Sequence, residues 1–149
     1  MVQATLKTRP AEILLVDDDL GDVKLTMEAF KAFKIPLKVS RARDGEEAID
    51  FLRKKNGYQS AANPDLIFLD LKLPRKSGFE VLAEIKQDSA LKTIPVLVLT
   101  SSNSTEDIVA AYEANANFYI VKPTKVDEFW AAMKYVEEYW LAKMNLTLD

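Results

Sequence analysis

The 149-residue sequence contains no cysteine and no histidine. Without cysteine there is no disulfide, no thiolate nucleophile and no Cys-ligated zinc or iron–sulfur site. Without histidine there is no Ser-His-Asp triad and no HExxH zinc motif. The four glycines form neither a GxGxxG fingerprint nor a Walker loop, so the usual phosphate cradles of nucleotide-binding domains are missing. No stretch approaches the ~18 consecutive apolar residues that span a bilayer. The first ten residues lack the apolar core of a secretory signal. A cytoplasmic protein without membrane contact is therefore expected. Lys plus Arg number 20 and Asp plus Glu 23, a net charge of −3, which gives no basic surplus to attract nucleic acid. Chemistry must come from carboxylates, hydroxyls, amines and a borrowed ion, and oxygen ligands suit hard cations such as Mg²⁺.

What is present reads as one domain of ordinary globular composition, 48% hydrophobic and 29% charged. Three short apolar runs are continuous rather than alternating: Ile13-Leu14-Leu15-Val16, Leu66-Ile67-Phe68-Leu69 and Val96-Leu97-Val98-Leu99. That pattern predicts strands buried on both faces, as in a parallel sheet. Leu37 to Ser40 and Phe118 to Val121 are weaker runs of the same kind. Helix-like segments lie between them. Asp19 or Asp22 caps the first, whose apolar stripe is Val23, Met27, Phe30 and Phe33. Asp44 caps the second, carrying Ala48, Ile49 and Leu52 toward Gly57. Ser77 and Glu80 have capping-box spacing ahead of the third. Ser104 or Thr105 caps the fourth, with Ile108, Ala111 and Tyr112 inward. The fifth runs from about Lys125 to Lys143, with Phe129, Met133, Val136 and Trp140 on its apolar side.

Five β-α repeats predict an α/β fold with helices on both faces of a parallel sheet. Residues 1–10 are expected to form a loose arm, 11–143 the domain and 144–149 a short tail. Tyr58 to Pro64 lengthens one connection without dividing the domain.

In open α/β sheets, ligands bind at the carboxyl ends of the strands. Here those ends carry Asp17, Asp18 and Asp19 after the first strand and Asp70 after the third. Thr100, Ser101 and Ser102 follow the fourth, and Lys122 and Pro123 the fifth. Taken singly, such an acid is a cap or a turn residue, Thr100 a capping hydroxyl and Lys122 a surface lysine. Taken together, they converge on one edge. Two carboxylates ~4 Å apart repel by about 4 kcal/mol at an effective dielectric of 20. A raised pKa or a divalent cation relieves that repulsion. A lysine and a hydroxyl beside the cation supply what a phosphoryl group needs. The site is expected to transfer phosphoryl groups with a carboxylate as nucleophile.

These residues resemble the receiver domain of two-component response regulators, over about residues 12 to 142. The motifs that carry the likeness are Ile13 to Asp19, Asp65 to Pro74, Ser77-Gly78-Phe79-Glu80, Val98-Leu99-Thr100-Ser101 and Tyr119-Ile120-Val121-Lys122-Pro123. The long Tyr58–Pro64 connection and the aromatic run Val136 to Leu141 are similar to the stand-alone regulators that partner bacterial and cyanobacterial phytochrome kinases. The resemblance implies a five-stranded, doubly wound, flavodoxin-like (βα)5 sheet of order 2-1-3-4-5. It implies that Asp70 is the phosphoacceptor. Asp18 contacts Mg²⁺ directly, Asp17 holds a metal-bound water and Lys72 gives its backbone carbonyl to the metal, with Mn²⁺ or Ca²⁺ able to substitute. Thr100 and the Ser101 amide bind the phosphoryl oxygens, and Lys122 pairs with the phosphoryl group or with unmodified Asp70. Thr100 and Tyr119 form the switch. The Lys72 side chain, where the family commonly has Asn, lines the path of attacking water. The Lys122–Pro123 bond is expected to be cis.

The same resemblance implies a phosphoacceptor rather than an enzyme, with at most slow self-dephosphorylation. The expected donor is a phosphohistidine on a phytochrome-type histidine kinase. No effector domain or DNA-recognition helix is expected after the fifth helix. Aromatic residues of the last two helices (Tyr112, Phe129, Tyr135, Tyr139, Trp140), some of which must be core, exceed with Leu141, Leu146 and Leu148 what one face can bury and point to a homodimer through the face built by the fourth helix, fifth strand and fifth helix. Two alternatives remain. A haloacid-dehalogenase-type phosphatase would use Asp17-x-Asp19 but gives Asp70 no task. A sterile receiver scaffold would not need the full set Asp17, Asp18, Asp70, Thr100 and Lys122.

Overall fold

The computed structural model describes residues 10–122 and 125–148, with the backbone alone for 140–148. Its elements alternate as the sequence predicts: β1 Ala11–Val16, α1 Leu20–Lys31, β2 Leu37–Ala42, α2 Gly45–Arg53, β3 Leu66–Leu69, α3 Gly78–Gln87, β4 Val96–Thr100, α4 Thr105–Glu113, β5 Phe118–Val121 and α5 Val126–Leu148. The strands form one parallel sheet of order β2-β1-β3-β4-β5. The expected doubly wound, flavodoxin-like fold is thus the observed one.

The continuous apolar runs are explained by a core on each face. Leu14, Val16, Ile67, Leu69, Val96 and Val98 point to one side, against Ala48, Ile49 and Leu52 of α2 and Val81, Leu82 and Ile85 of α3. Ile13, Leu15, Phe68, Leu97 and Leu99 point to the other, against Ala29 and Phe30 of α1 and Phe129, Met133 and Val136 of α5. Alternate residues of a strand face opposite sides, so burial on both sides demands an unbroken apolar run. The Phe30 and Phe68 rings meet nearly edge to face, centroids 5.1 Å apart.

The helix starts follow local chemistry. The side chains of Asp19, Asp44, Ser77 and Ser104 accept from the backbone N–H of Asp22, Glu47, Glu80 and Asp107. Ser77 and Glu80 complete the capping box. Asp19, not Asp22, is therefore the cap of α1, and Ser104, not Thr105, the cap of α4.

Several expectations need correction. Met27 is exposed, because the buried stripe of α1 runs through Thr26, Ala29 and Phe30. Tyr112 is exposed, because Ala111 is the residue of α4 that meets the core and its neighbour is rotated by ~100° to the flank. Phe129 is 1% exposed and belongs to the core, so it is not part of any partner surface. The second helix stops before Gly57, at a left-handed Lys54. The fifth continues to Leu148, past the expected end at Lys143 and through most of the expected tail. Lys143 to Leu148 contains neither Gly nor Pro to stop it. The expected arm at residues 1–9, the Lys122–Pro123 bond and the side chains of Trp140, Leu141, Leu146 and Leu148 lie outside the described residues. Among the described residues no helix is long and apolar enough to cross a membrane.

Phe68 is fully buried in the α1/α5 layer. Phe68→Ala is expected to cost about 3–5 kcal/mol of folding stability, read from the urea unfolding midpoint.

Candidate functional site

The sheet delivers the site residues by register. Val16 pairs with Leu69, so Asp17 and Asp70 leave adjacent strands side by side. The ladder continues past both strand ends. The Asp70 amide donates to the Val16 carbonyl at 3.0 Å, and the Asp17 amide to that of Ala42 at 3.1 Å. On the other side Thr100 pairs with Val121, and the Lys122 amide donates to the Thr100 carbonyl at 2.7 Å. Lys122 therefore enters the same edge from two strands away.

Gly78 fixes the floor. Its amide donates to the Leu71 carbonyl at 2.9 Å. A Cβ there would sit 2.2 Å from the Asp70 carbonyl oxygen and 2.5 Å from the Leu71 Cα. No side chain fits, so only glycine lets α3 start this close to the loop after β3.

The carboxylates of Asp17, Asp18 and Asp70 place one oxygen each within 4.8 Å of the others. Asp17 and Asp70 are buried, at 1% and 7% exposure, while Asp18 is open to solvent. The Lys122 ammonium donates to Asp17 Oδ2 at 2.8 Å, Asp22 Oδ2 at 2.9 Å and Asp70 Oδ2 at 3.0 Å. The second oxygens have partners too: Asp17 Oδ1 accepts from the Asp19 amide at 3.0 Å and Asp70 Oδ1 from the Lys72 amide at 3.2 Å.

Burial pushes the Asp17 carboxyl above its ordinary value. Its hydrogen bonds from Lys122 and the Asp19 amide pull the other way, and the charge of Asp70 adds to the rise. For Lys122, burial disfavours the charge, but the hydrogen bonds to Asp17 and Asp22 and the fields of Asp70 and Asp17 outweigh it, so its pKa is raised. The lysine is an ammonium held among acids. An all-oxygen set of this geometry, partly open through Asp18, fits a hard divalent cation.

Thr100 is fully buried, and its hydroxyl oxygen accepts a long bond from the Ser102 amide at 3.5 Å. Ser101 is exposed beside it. Tyr119 is half-buried, and its hydroxyl donates to the Ser102 carbonyl at 2.9 Å. Burial raises its phenol pKa. The Ser102 hydroxyl in turn donates to Asp107 Oδ2 at 2.5 Å.

The structure brings together Asp17, Asp18, Asp70 and Lys122, with Lys72 bonded to Asp70 through its backbone. Asp19 is turned away to cap α1. Two participants were missed. Asp22, weighed only as a cap, binds Lys122. Arg41 donates from Nε and Nη2 to the Asp17 carbonyl, at 3.2 and 3.1 Å, and so fixes the turn after β1. A usable signal existed for Asp22: it lies in the first turn of a helix that starts at the strand end.

Comparison with known proteins identifies the family. The response regulator receiver domain model matches residues 13–134. The chain belongs to the response regulator receiver family. This receiver is 41% identical over 137 residues to the response regulator Rcp1 of Synechocystis sp., covering 92% of this chain and 93% of Rcp1. It superposes on the Mn²⁺-bound crystal structure of Rcp1 with a TM-score of 0.83, at 42% identity, over 89% of this chain and 95% of that one. The phosphorylated cyanobacterial phytochrome response regulator RcpA gives a TM-score of 0.85 at 43% identity, over 91% and 96% of the two chains. Such receivers are signalling switches rather than classical enzymes.

A divalent cation that binds only the folded receiver stabilises it by mass action, about 2.7 kcal/mol at a hundredfold excess over Kd. Thermal melts with and without Mn²⁺ are expected to show this rise, and Asp18→Ala to remove most of it. Gly78→Ala is expected to lower stability by more than ~1 kcal/mol and to weaken the Mn²⁺-induced rise, because Asp70 is displaced.

Proposed function

We propose that the chain is a single-domain phosphorelay regulator that accepts a phosphoryl group on Asp70 from a phosphohistidine of a sensor kinase, in a Mg²⁺-dependent reaction. The observation that carries this reading is the Lys122 ammonium bridging the buried carboxylates of Asp17 and Asp70 beside open Asp18.

Asp17, Asp18, Asp70 and the Lys72 backbone carbonyl are the groups that would hold Mg²⁺. When bound, the ion offsets negative charge on the oxygens of the transferring phosphoryl group. An Asp70 carboxylate oxygen attacks phosphorus in line with the departing imidazole nitrogen. The O–P bond forms as the P–N bond breaks, and imidazole leaves. Lys122 meets the developing charge on a second phosphoryl oxygen. The Thr100 hydroxyl and the Ser101 amide bind a third. Water then attacks phosphorus, the Asp70 O–P bond breaks, and inorganic phosphate leaves with the free carboxylate restored; the Lys72 side chain stands on the water's path.

The switch follows from a bond already in place. Tyr119 is tied through its hydroxyl to the Ser102 carbonyl, two residues past Thr100. A phosphoryl group that draws Thr100 and Ser101 inward pulls this segment, and Tyr119 moves with it. The α4-β5-α5 surface is altered in consequence, a two-state bias from a local charge change.

The likeness to RcpA, a cyanobacterial phytochrome response regulator, supports a phytochrome-type histidine kinase as donor. A homodimer through the α4-β5-α5 face is supported by exposed Tyr112, Tyr135 and Tyr139, the last edge-on to Phe118 at 4.5 Å. Against the phosphatase alternative, the Asp19 side chain is committed to the α1 cap and Asp70 holds the buried place. Against a sterile scaffold, the acids and the lysine stand in bonding distance. The net charge of −3 favours protein partners over nucleic acid.

Incubation with a ³²P-labelled, Mg²⁺-supplied phytochrome kinase is expected to label the wild-type chain and not Asp70→Asn. Equal labelling of both would refute Asp70 as acceptor. Sedimentation at high concentration, with and without beryllofluoride, tests the dimer, and a monomer in both conditions would remove it.

A further inference from the structure

Asp22 stands out because it touches the machinery without belonging to the carboxylate triad. It lies in the first turn of α1, half-exposed, with its Oδ2 2.9 Å from Lys122 Nζ. An ammonium has three N–H donors. Here all three are used, on Asp17, Asp22 and Asp70. Two of those acceptors, Asp17 and Asp70, are members of the triad that fits a divalent cation, and Asp22 is not. A cation on the triad takes charge from Asp17 and Asp70 and repels the ammonium between them. The lysine side chain is only 10% exposed, so bulk water is a poor replacement for those acceptors. Of its three carboxylate partners among the described residues, only Asp22 then remains.

We propose that Asp22 is a positioning residue: it receives the Lys122 ammonium when a divalent cation occupies Asp17, Asp18 and Asp70, so that lysine and cation share the pocket instead of competing for it. This rests on reading the triad as a divalent-cation site, and it concerns cation binding rather than phosphoryl transfer. Asp22 acts through Lys122 and donates no oxygen to the cation. Its own fold duties are carried by the backbone, whose amide donates to Asp19 and whose carbonyl accepts from Thr26. Asp22→Asn leaves both intact.

The test is a double-mutant cycle read by Mn²⁺ titration calorimetry on the full chain without any phosphodonor. Asp22→Asn is expected to weaken Mn²⁺ binding about fivefold, equivalent to ~1 kcal/mol. In a Lys122→Met background the same substitution is expected to change affinity less than twofold, because no ammonium needs a second home. Asp22→Glu, which keeps the charge, is expected to restore at least half of the loss. Circular dichroism melts report whether each variant is folded. Equal weakening with and without the lysine would overturn the proposal, since Asp22 would then act as a ligand or as bulk charge. Unchanged affinity in Asp22→Asn would overturn it as well. A chain that binds Mn²⁺ in this pattern but is never labelled by a kinase would leave the Asp22 assignment standing and remove the phosphorelay reading, so the two failures are separate.

Discussion

Two carboxylates side by side at the end of a buried sheet repel each other and lose most of their hydration. Lys122 makes that arrangement tolerable. Its ammonium sits 2.8 Å from Asp17 and 3.0 Å from Asp70 and is itself nearly buried, so each charge is compensated at short range. The balance is incomplete. Asp17 remains pushed toward its neutral form by burial, and the open carboxylate of Asp18 adds further charge. The pocket is left with an excess of anionic oxygen, which is why a small, highly charged cation is its natural complement.

The rest of the fold serves to hold those charges in place. Parallel pairing brings the ends of β1 and β3 into register, and both strands are locked by cores on opposite faces. The backbone is then fixed at the rim by specific devices. Arg41 clamps the Asp17 carbonyl, Asp19 caps α1, and Gly78 allows α3 to begin against the Asp70 carbonyl. Strain introduced at any of these would appear as displacement of a carboxylate, because close-packed cores transmit small shifts.

The loop between β4 and α4 is tied to the neighbouring elements at the same edge of the sheet. Thr100 ends β4 and is fully buried, and hydrogen bonds hold the loop beyond it to β5 and α4. Tyr119 donates to the Ser102 carbonyl, and the Ser102 hydroxyl donates to Asp107 in the first turn of α4. Asp70 is joined to the end of β5 through Lys122, and β5 to the start of α4 through Tyr119, Ser102 and Asp107. Exposed Tyr112, Tyr135 and Tyr139 lie on α4 and α5, on either side of β5.

The sequence by itself determined the element order, the parallel sheet and the strand-end residues. Continuous apolar runs, capping side chains and strand-end acids are local signals, and local signals survive in one dimension. The same locality explains the errors. Met27 and Tyr112 lie within ~100° of the buried stripe, and only packing decides which edge of a helix is covered. The sequence placed Asp22 near the strand end, but only tertiary structure paired it with Lys122 and set Arg41 on the turn after β1. Their partners, Lys122 and the Asp17 carbonyl, are 100 and 24 residues away in the chain. A contact between such distant residues leaves no spacing to read, and the Lys122 salt bridge is the clearer case. It exists because β1 and β5 are ordered into one sheet whose ends open on the same side.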